Sequence, residues 1–245
     1  MAGPGVGTGS GERLYFRQLL SGRDFAREDP VARQMVNFAY FIGDWETGEA
    51  LVVDPAYAVD DLLGALAADG MRCCGVLATH YHPDHVGGDL ASWSVEGIAA
   101  LLERVSVPVH VQRAEVPWVE RTTGVSAELV AHDSGEVVEV GAIPVELVAT
   151  PGHTPGSQCF WVAGRLVSGD TLFLEGCGRT DLPGSDPEAM YESLTTRLSR
   201  VPDDTVLYPG HLYSEEPSAA LGEVRARNVV LRPASAAQWL ATFGR

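Results

Sequence analysis

The run Thr79-His80-Tyr81-His82-Pro83-Asp84-His85 places three imidazoles and a carboxylate within seven residues. Imidazole and carboxylate together suit a divalent cation such as zinc, iron or manganese. His80 and His82 follow an apolar stretch that reads as a strand, so their side chains project to the same side and can share one ion. Pro83 stiffens a bend, after which Asp84 and His85 point toward a neighbouring position. Two such groups suit a dinuclear site. Histidine recurs in Pro151-Gly152-His153-Thr154-Pro155-Gly156-Ser157 and in Pro209-Gly210-His211, and Gly169-Asp170 lies between those motifs. Five of the seven histidines fall in the three motifs, a clustering hard to obtain by accident. His110 and His132 are left as ordinary structural residues.

These groups need a rigid frame, and every candidate ligand sits just after an expected strand. There an α/β scaffold fixes a side chain while exposing it in a cleft. Aromatic and branched residues predict strands over 14–16, 36–42, 50–53, 74–79, 107–112, 136–140, 145–149, 158–162, 165–168 and 205–208. A helix is expected over 59–69, with Val59, Leu62, Leu63 and Leu66 on one face and Gly70 closing it. Another is expected over 94–103. Asp186-Pro187-Glu188 carries the signals of a helix start, and Met190, Leu194 and Leu198 then repeat every four residues. Beyond 215 the chain reads as mostly helical, in two pieces separated by Pro233. No internal repeat and no second domain boundary is visible: residues 1–11 read as a flexible tail and 12–245 as a single domain.

Acids outnumber bases 33 to 17, for a net charge of −16, which weighs against nucleic acid, a partner that demands a basic footprint. All the bases are arginine, and with abundant Ala, Gly and Val this points to a GC-rich coding sequence. No apolar stretch approaches the roughly 20 residues of a membrane span. The N-terminus lacks the basic and apolar regions of a signal peptide. The four cysteines, Cys73, Cys74, Cys159 and Cys177, form no Cys-x-x-Cys pair and read as reduced thiols of a cytoplasmic protein. Homo-oligomers stay open.

Together the motifs resemble the metallo-β-lactamase superfamily. The run from His80 to His85 matches its His-x-His-x-Asp-His signature, the segment around His153 its second metal motif, Asp170 its bridging aspartate and His211 its last histidine. The likeness spans roughly residues 12 to 230. It implies an α/β fold of four layers, the αββα sandwich, with the site along one edge of two sheets. It also implies two divalent ions of the zinc type. His80, His82 and His153 would hold the first, Asp84, His85 and His211 the second, and Asp170 would bridge them. No cysteine stands at a ligand position, unlike lactamases that use one. The stretch 89–107 is longer than usual, and a surface helix is expected there in preference to a lid.

Within the superfamily the sequence resembles two branches. Leu182-Pro183-Gly184-Ser185-Asp186 looks like small glyoxalase II-like thioester hydrolases. Phe16-Arg17-Gln18-Leu19, the segment 43–55, Gly176-Cys177-Gly178-Arg179-Thr180-Asp181 and Tyr213 look like persulfide dioxygenases. The leading expectation is a hydrolase acting on a thioester of a small thiol of the glutathione or mycothiol type, with metal-activated water as nucleophile and Asp84 orienting it. The alternative is oxidation of a thiol persulfide by O2 at one Fe(II) held by His80, His153 and Asp170. A metal-binding protein without catalysis is the third reading. The dioxygenase likeness implies that Arg179 and Asp181 shape the substrate site and that Tyr213 lies beside the metal. A structural ion pair of Arg179 with Asp181 or Asp186 is the alternative to a substrate role. With no lysine present, Arg225, Arg227 and Arg232 are the candidates for holding a glutathione carboxylate. Cys177 is expected to be a small buried residue and not a nucleophile.

Overall fold

The computed structural model describes residues 13–244; the expected tail, 1–11, lies outside the described residues. Strand β1 (Leu14–Leu20) leads through α1 (Pro30–Met35) to β2 (Phe38–Asp44) and β3 (Glu49–Val53). Helix α2 (Val59–Ala68), β4 (Arg72–Leu77), α3 (Pro83–Val86), the hairpin β5 (Gly88–Leu90) and β6 (Trp93–Val95), and α4 (Ile98–Arg104) follow. Then come β7 (Val109–Gln112), α5 (Val116–Thr123) and β8 (Leu129–His132). The second half holds β9 (Val137–Val140), β10 (Ile143–Ala149), β11 (Gln158–Val162), β12 (Arg165–Gly169) and α6 (Pro187–Glu192). It ends with β13 (Val206–Pro209), β14 (Ala219–Ala220), α7 (Leu221–Arg227) and α8 (Ala236–Phe243).

Two six-stranded sheets result, ordered β1-β2-β3-β4-β7-β8 and β14-β13-β12-β11-β10-β9. Strand β2 shows why they stack. It is buried along its whole length, and the two-residue period sends Phe38, Tyr40 and Ile42 to one side and Ala39 and Phe41 to the other. The first set meets Val145, Leu147 and Phe160 of the second sheet. The second set meets Leu62 and Leu66 of α2. On the far side of the second sheet Met190, Leu194 and Leu198 join Leu207 and Trp239. The chain therefore forms the αββα sandwich, each sheet buried on both faces as its near-continuous apolar strands require. No helix among the described residues is long and apolar enough to cross a membrane.

Several elements depart from expectation for local reasons. Asp29 caps α1 by accepting from the Val31 and Ala32 amides, with Pro30 at the first turn. That is the signal read correctly at Asp186 and overlooked here. Val36, expected to open a strand, instead ends α1 in the left-handed region at φ 50°. The helix expected from 94 begins only at Ile98, because residues 93–95 pair with 88–90 as a hairpin. Helix α5 and strand β8 were not anticipated. The repeat of Met190, Leu194 and Leu198 is buried as expected, but it continues α6 through a π turn (Ser193–Arg197) and a 3-10 turn (Leu198–Arg200).

One ion pair ties the rim of the first sheet to the second. The fully buried Asp44 side chain accepts from Arg13 and from the amides of Glu46 and Ala142, the latter in the turn between β9 and β10. The Arg13 guanidinium, opposed by burial, holds the Asp44 carboxyl down at about 2. A depressed carboxylate contributes stability above its unfolded pKa, near 3.9, and loses it as pH falls through the folded value. Asp44→Asn is therefore expected to lower Tm by several degrees at pH 7, with the difference closing toward pH 2. Thermal melts across that range test this; an offset that stays constant with pH would exclude the charge as its cause.

Candidate metal centre

The site forms where loops leave adjacent strands. Beyond β4 the chain carries His80 and His82, and Pro83 opens α3, whose first turn holds Asp84 and His85. The loop between β10 and β11 carries His153. Strand β12 ends in a register shift between Val167 and Gly169. Gly169 has φ +49°, and a Cβ there would lie 2.6 Å from that of Thr79. Only glycine fits, and the bulge turns Asp170 into the cluster. Strand β13 delivers His211, which bridges to Asn37 at the start of β2.

All seven expected ligands come together. His80 Nε2 lies 3.1 Å from His82 Nδ1, which lies 3.0 Å from His153 Nε2. His85 Nε2 and His211 Nε2 are 3.1 Å apart, with Asp84 Oδ2 at 3.5 and 3.4 Å from them. Asp170 sits between: Oδ1 is 3.4 Å from His85, and Oδ2 is 3.3 Å from His211 and 3.7 Å from His153. Two nitrogens sharing an ion at ~2.0–2.1 Å stand about 3.0–3.4 Å apart, so these spacings fit the donors of one coordination sphere each.

The outer nitrogens settle which ring atoms face inward. His85 Nδ1 donates to Asp54 at 2.9 Å, His153 Nδ1 to the Arg179 carbonyl at 2.8 Å and His211 Nδ1 to the Met35 carbonyl at 2.8 Å. Thr79 donates its hydroxyl to Asp54 at 2.6 Å and is left to accept from His80 Nδ1 at 3.0 Å. In all four rings the Nε2 lone pair therefore points into the cluster.

Electrostatics divide the site in two. Burial and His153 push His82 down to about 4, and burial likewise holds His80 far below its usual range. These are neutral rings with free lone pairs. Burial also opposes charge on His85, but Asp170, Asp84 and Asp54 outweigh it and raise that ring to about 10. This half of the cluster calls for a cation. Asp170 Oδ1 is buried with no hydrogen-bond partner among the described residues, a cost that metal ligation would remove. The donor set fits divalent metal at both positions.

The expected substrate residues fare differently. The cluster opens into a cavity of about 650 Å³ lined by Met35, Tyr81, Leu90, Phe173, Arg179, Pro183 and Tyr213 among others. Tyr213 stacks on His211 at 4.7 Å and stands edge-on to Phe173. Arg179 lines the cavity, but its guanidinium is held by Asp181 at 2.8 and 2.9 Å. Asp181 is absent from the residues lining the cavity; it holds Arg179. Cys177, expected to be buried, is only half-buried and lines the cavity; desolvation pushes its thiol up to about 12, which disfavours the thiolate. The stretch 89–107 holds the hairpin as well as α4, and Leu90 at its tip reaches the cavity.

Sequence reasoning missed four buried supports. Asp54 accepts from the Thr79 amide and hydroxyl as well as from His85, and its φ of 50° is a strained conformation. Asn37 donates to Asp84 Oδ2 at 3.1 Å while its own carbonyl accepts from Tyr57 at 3.0 Å. Glu115 is the fourth. An acid directly after an apolar strand, as in Val53-Asp54, was the one signal available for any of them.

Comparison with known proteins agrees with this geometry. A family model described as the metallo-beta-lactamase superfamily matches residues 33–211. A hydroxyacylglutathione hydrolase of Polaromonas sp. is 37% identical over 73% of this chain. The chain spans 63% of that relative's length. The human mitochondrial persulfide dioxygenase ETHE1 is 29% identical over 90% of this chain and 77% of its own. The crystal structure of ETHE1 from Myxococcus xanthus superposes with a TM-score of 0.75 at 29% identity, covering 94% of this chain and 90% of that one.

Proposed function

This chain belongs to the metallo-beta-lactamase superfamily, and on that premise we propose that it hydrolyses a thioester of a small thiol. The observation that carries this reading is the second ligand group. Asp84, His85 and His211 form a triad of their own, oriented by Asn37, Asp54 and the Met35 carbonyl in turn and adjoining the first triad through Asp170. In a mononuclear reaction Asp84, His85 and His211 would instead position water and tune the three iron ligands by hydrogen bonding.

His80, His82 and His153 would hold one ion, Asp84, His85 and His211 the other, and Asp170 would face both. Divalent ions held by these residues would supply Lewis acidity and lower the pKa of bound water toward neutrality. Asp84, clamped by Asn37, orients the attacking water. The apolar walls from Met35, Tyr81, Leu90 and Phe173 exclude bulk water around the acyl group. The Tyr213 phenol, raised by burial and by Asp170 and Asp84, stays protonated and can donate to the substrate. A thiolate leaves readily, so no strong general acid is required.

The carrier's chemistry is read from an adjoining lobe of about 640 Å³ that meets the cavity at Glu175 and Tyr213 and is also lined by Ser214, Glu215, Glu216 and Arg227. Of the three arginines considered for glutathione, Arg225 is occupied by Asp203 and the carbonyls of Leu198 and Val201, and Arg232 donates to the Arg227 carbonyl. Only Arg227 lines the lobe, facing three carboxylates. A neutral, hydroxyl-bearing carrier of the mycothiol kind suits it better than a dicarboxylate peptide. S-lactoyl conjugates of mycothiol, of glutathione and of glutathione diester are the test. Roughly tenfold higher kcat/KM for the neutral carriers is expected at low salt. Equal rates remove the carrier assignment, and no hydrolysis of any of the three removes the hydrolase.

The similarity to ETHE1 over most of both chains supports a second reading, persulfide oxidation at one Fe(II) held by His80, His153 and Asp170. Oxygen uptake by anaerobically Fe(II)-loaded protein on adding glutathione or mycothiol persulfide, with Asp170→Ala as control, decides between the two. Rapid uptake lost in the control would establish the dioxygenase.

A further inference from the structure

Glu115 is 1% exposed, lies at the N-terminus of α5 and belongs to neither ligand triad. Its carboxylate receives three neutral donors. Oε1 accepts from the Tyr81 amide and from the Thr154 hydroxyl, each at 2.7 Å, and Oε2 accepts from the Gly156 amide at 2.6 Å. No cationic side chain among the described residues pairs with it.

What those donors belong to gives the contact its meaning. Tyr81 is the residue between His80 and His82, and Thr154 and Gly156 follow His153. One buried carboxylate thus grips the two loops that supply all three histidines of the first triad. The second loop is shaped to receive it. A Cβ on Gly156 would lie 2.5 Å from the Glu115 amide nitrogen and 2.6 Å from its Cβ, so only glycine permits this approach. Ser157 holds Thr154 in place through its hydroxyl at 2.7 Å. The non-ligand residues of the segment 153–157 therefore form a receptor for this acid.

We propose that Glu115 is the positioning residue of the three-histidine metal site: by joining the two loops it sets the separation of His80 and His82 from His153. Two loops joined only by exposed contacts would pay ordering entropy when the metal binds; loops already joined by Glu115 do not. The inference concerns metal binding and holds whichever reaction the site performs.

The test is a cobalt(II) titration of the full chain carrying His211→Ala, so that the three-histidine position is read by itself. Affinity comes from chelator competition and geometry from the visible absorption bands. Glu115→Gln keeps the shape but replaces an acceptor by an amide donor facing other donors. Affinity is expected to fall about 10- to 100-fold, the range for residues that orient metal ligands, with altered absorption. Should that variant fail to fold, Thr154→Val, which removes one donor and keeps the carboxylate, is expected to weaken binding severalfold, and Glu115→Asp to restore less than the native affinity. A folded Glu115→Gln protein, or Thr154→Val protein, with native cobalt affinity and spectrum would overturn the proposal, even if its melting temperature were lowered.

Discussion

Asp170→Ala is expected to abolish tight metal binding at both positions and to lower turnover by at least about 10³-fold, the scale of losing a group on which a whole catalytic unit depends. Its two oxygens address different halves of the cluster, Oδ1 toward His85 and Oδ2 toward His211 and His153. Removing them leaves five imidazoles around a gap with only Asp84 and the more distant Asp54 to attract cations. Burial disfavours the Asp170 charge, yet His211 and His85 hold its carboxyl well below the ordinary range, so it is ionised and ready to ligate at any physiological pH. The backbone is built around it as well: a Cβ on Gly210 would fall 2.3 Å from Asp170 Oδ1. Metal content by elemental analysis and turnover on the best substrate check this together. Two metals per chain retained with less than tenfold loss of turnover would remove Asp170 from its bridging position.

Asp84→Asn separates the two reactions. The amide is isosteric, so packing is kept while one buried negative charge is lost. Opposing burial, His85 and His211 hold the Asp84 carboxyl below its ordinary value, and the Asn37 amide fixes the oxygen that faces them. As hydrolase, the protein should lose the second metal and the group that orients water, and kcat should fall by about 10²- to 10⁴-fold. The first position should still fill, because His80, His82 and His153 do not contact Asp84 by hydrogen bond. As dioxygenase, the residue stands outside the iron triad and oxygen uptake should survive within about tenfold. A hydrolytic kcat that barely changes would leave the water-orienting role without support.

The chemistry of the centre was legible because coordination needs particular donors and the chain supplies them in short motifs. His80, His82, Asp84 and His85 lie on one strand exit and one helical turn, where local geometry alone decides which way they face. The sandwich followed from strands such as Phe38–Asp44, apolar on both faces and so requiring a layer on each side. The hairpin at 88–95 was misread because three-residue strands carry too little periodicity to compete with a nearby helical pattern. For Arg179 the sequence left a substrate role and an ion pair side by side; the structure shows the pair with Asp181 in an exposed loop, with Arg179 also lining the cavity.

By itself, then, the sequence determined the candidate donor types, their order and the layered α/β scaffold, all of which rest on residue chemistry and on periods of a few residues. Only the tertiary structure decided which atoms converge and what holds them. Asp54 meets His85 across 31 residues, Asn37 meets Asp84 across 47, and Glu115 meets Gly156 across 41. Those pairs are set by strand order and loop register. A buried carboxylate or amide carries no mark in the chain of which distant donor will satisfy it, because the desolvation that makes the partner obligatory exists only once the sheets have closed.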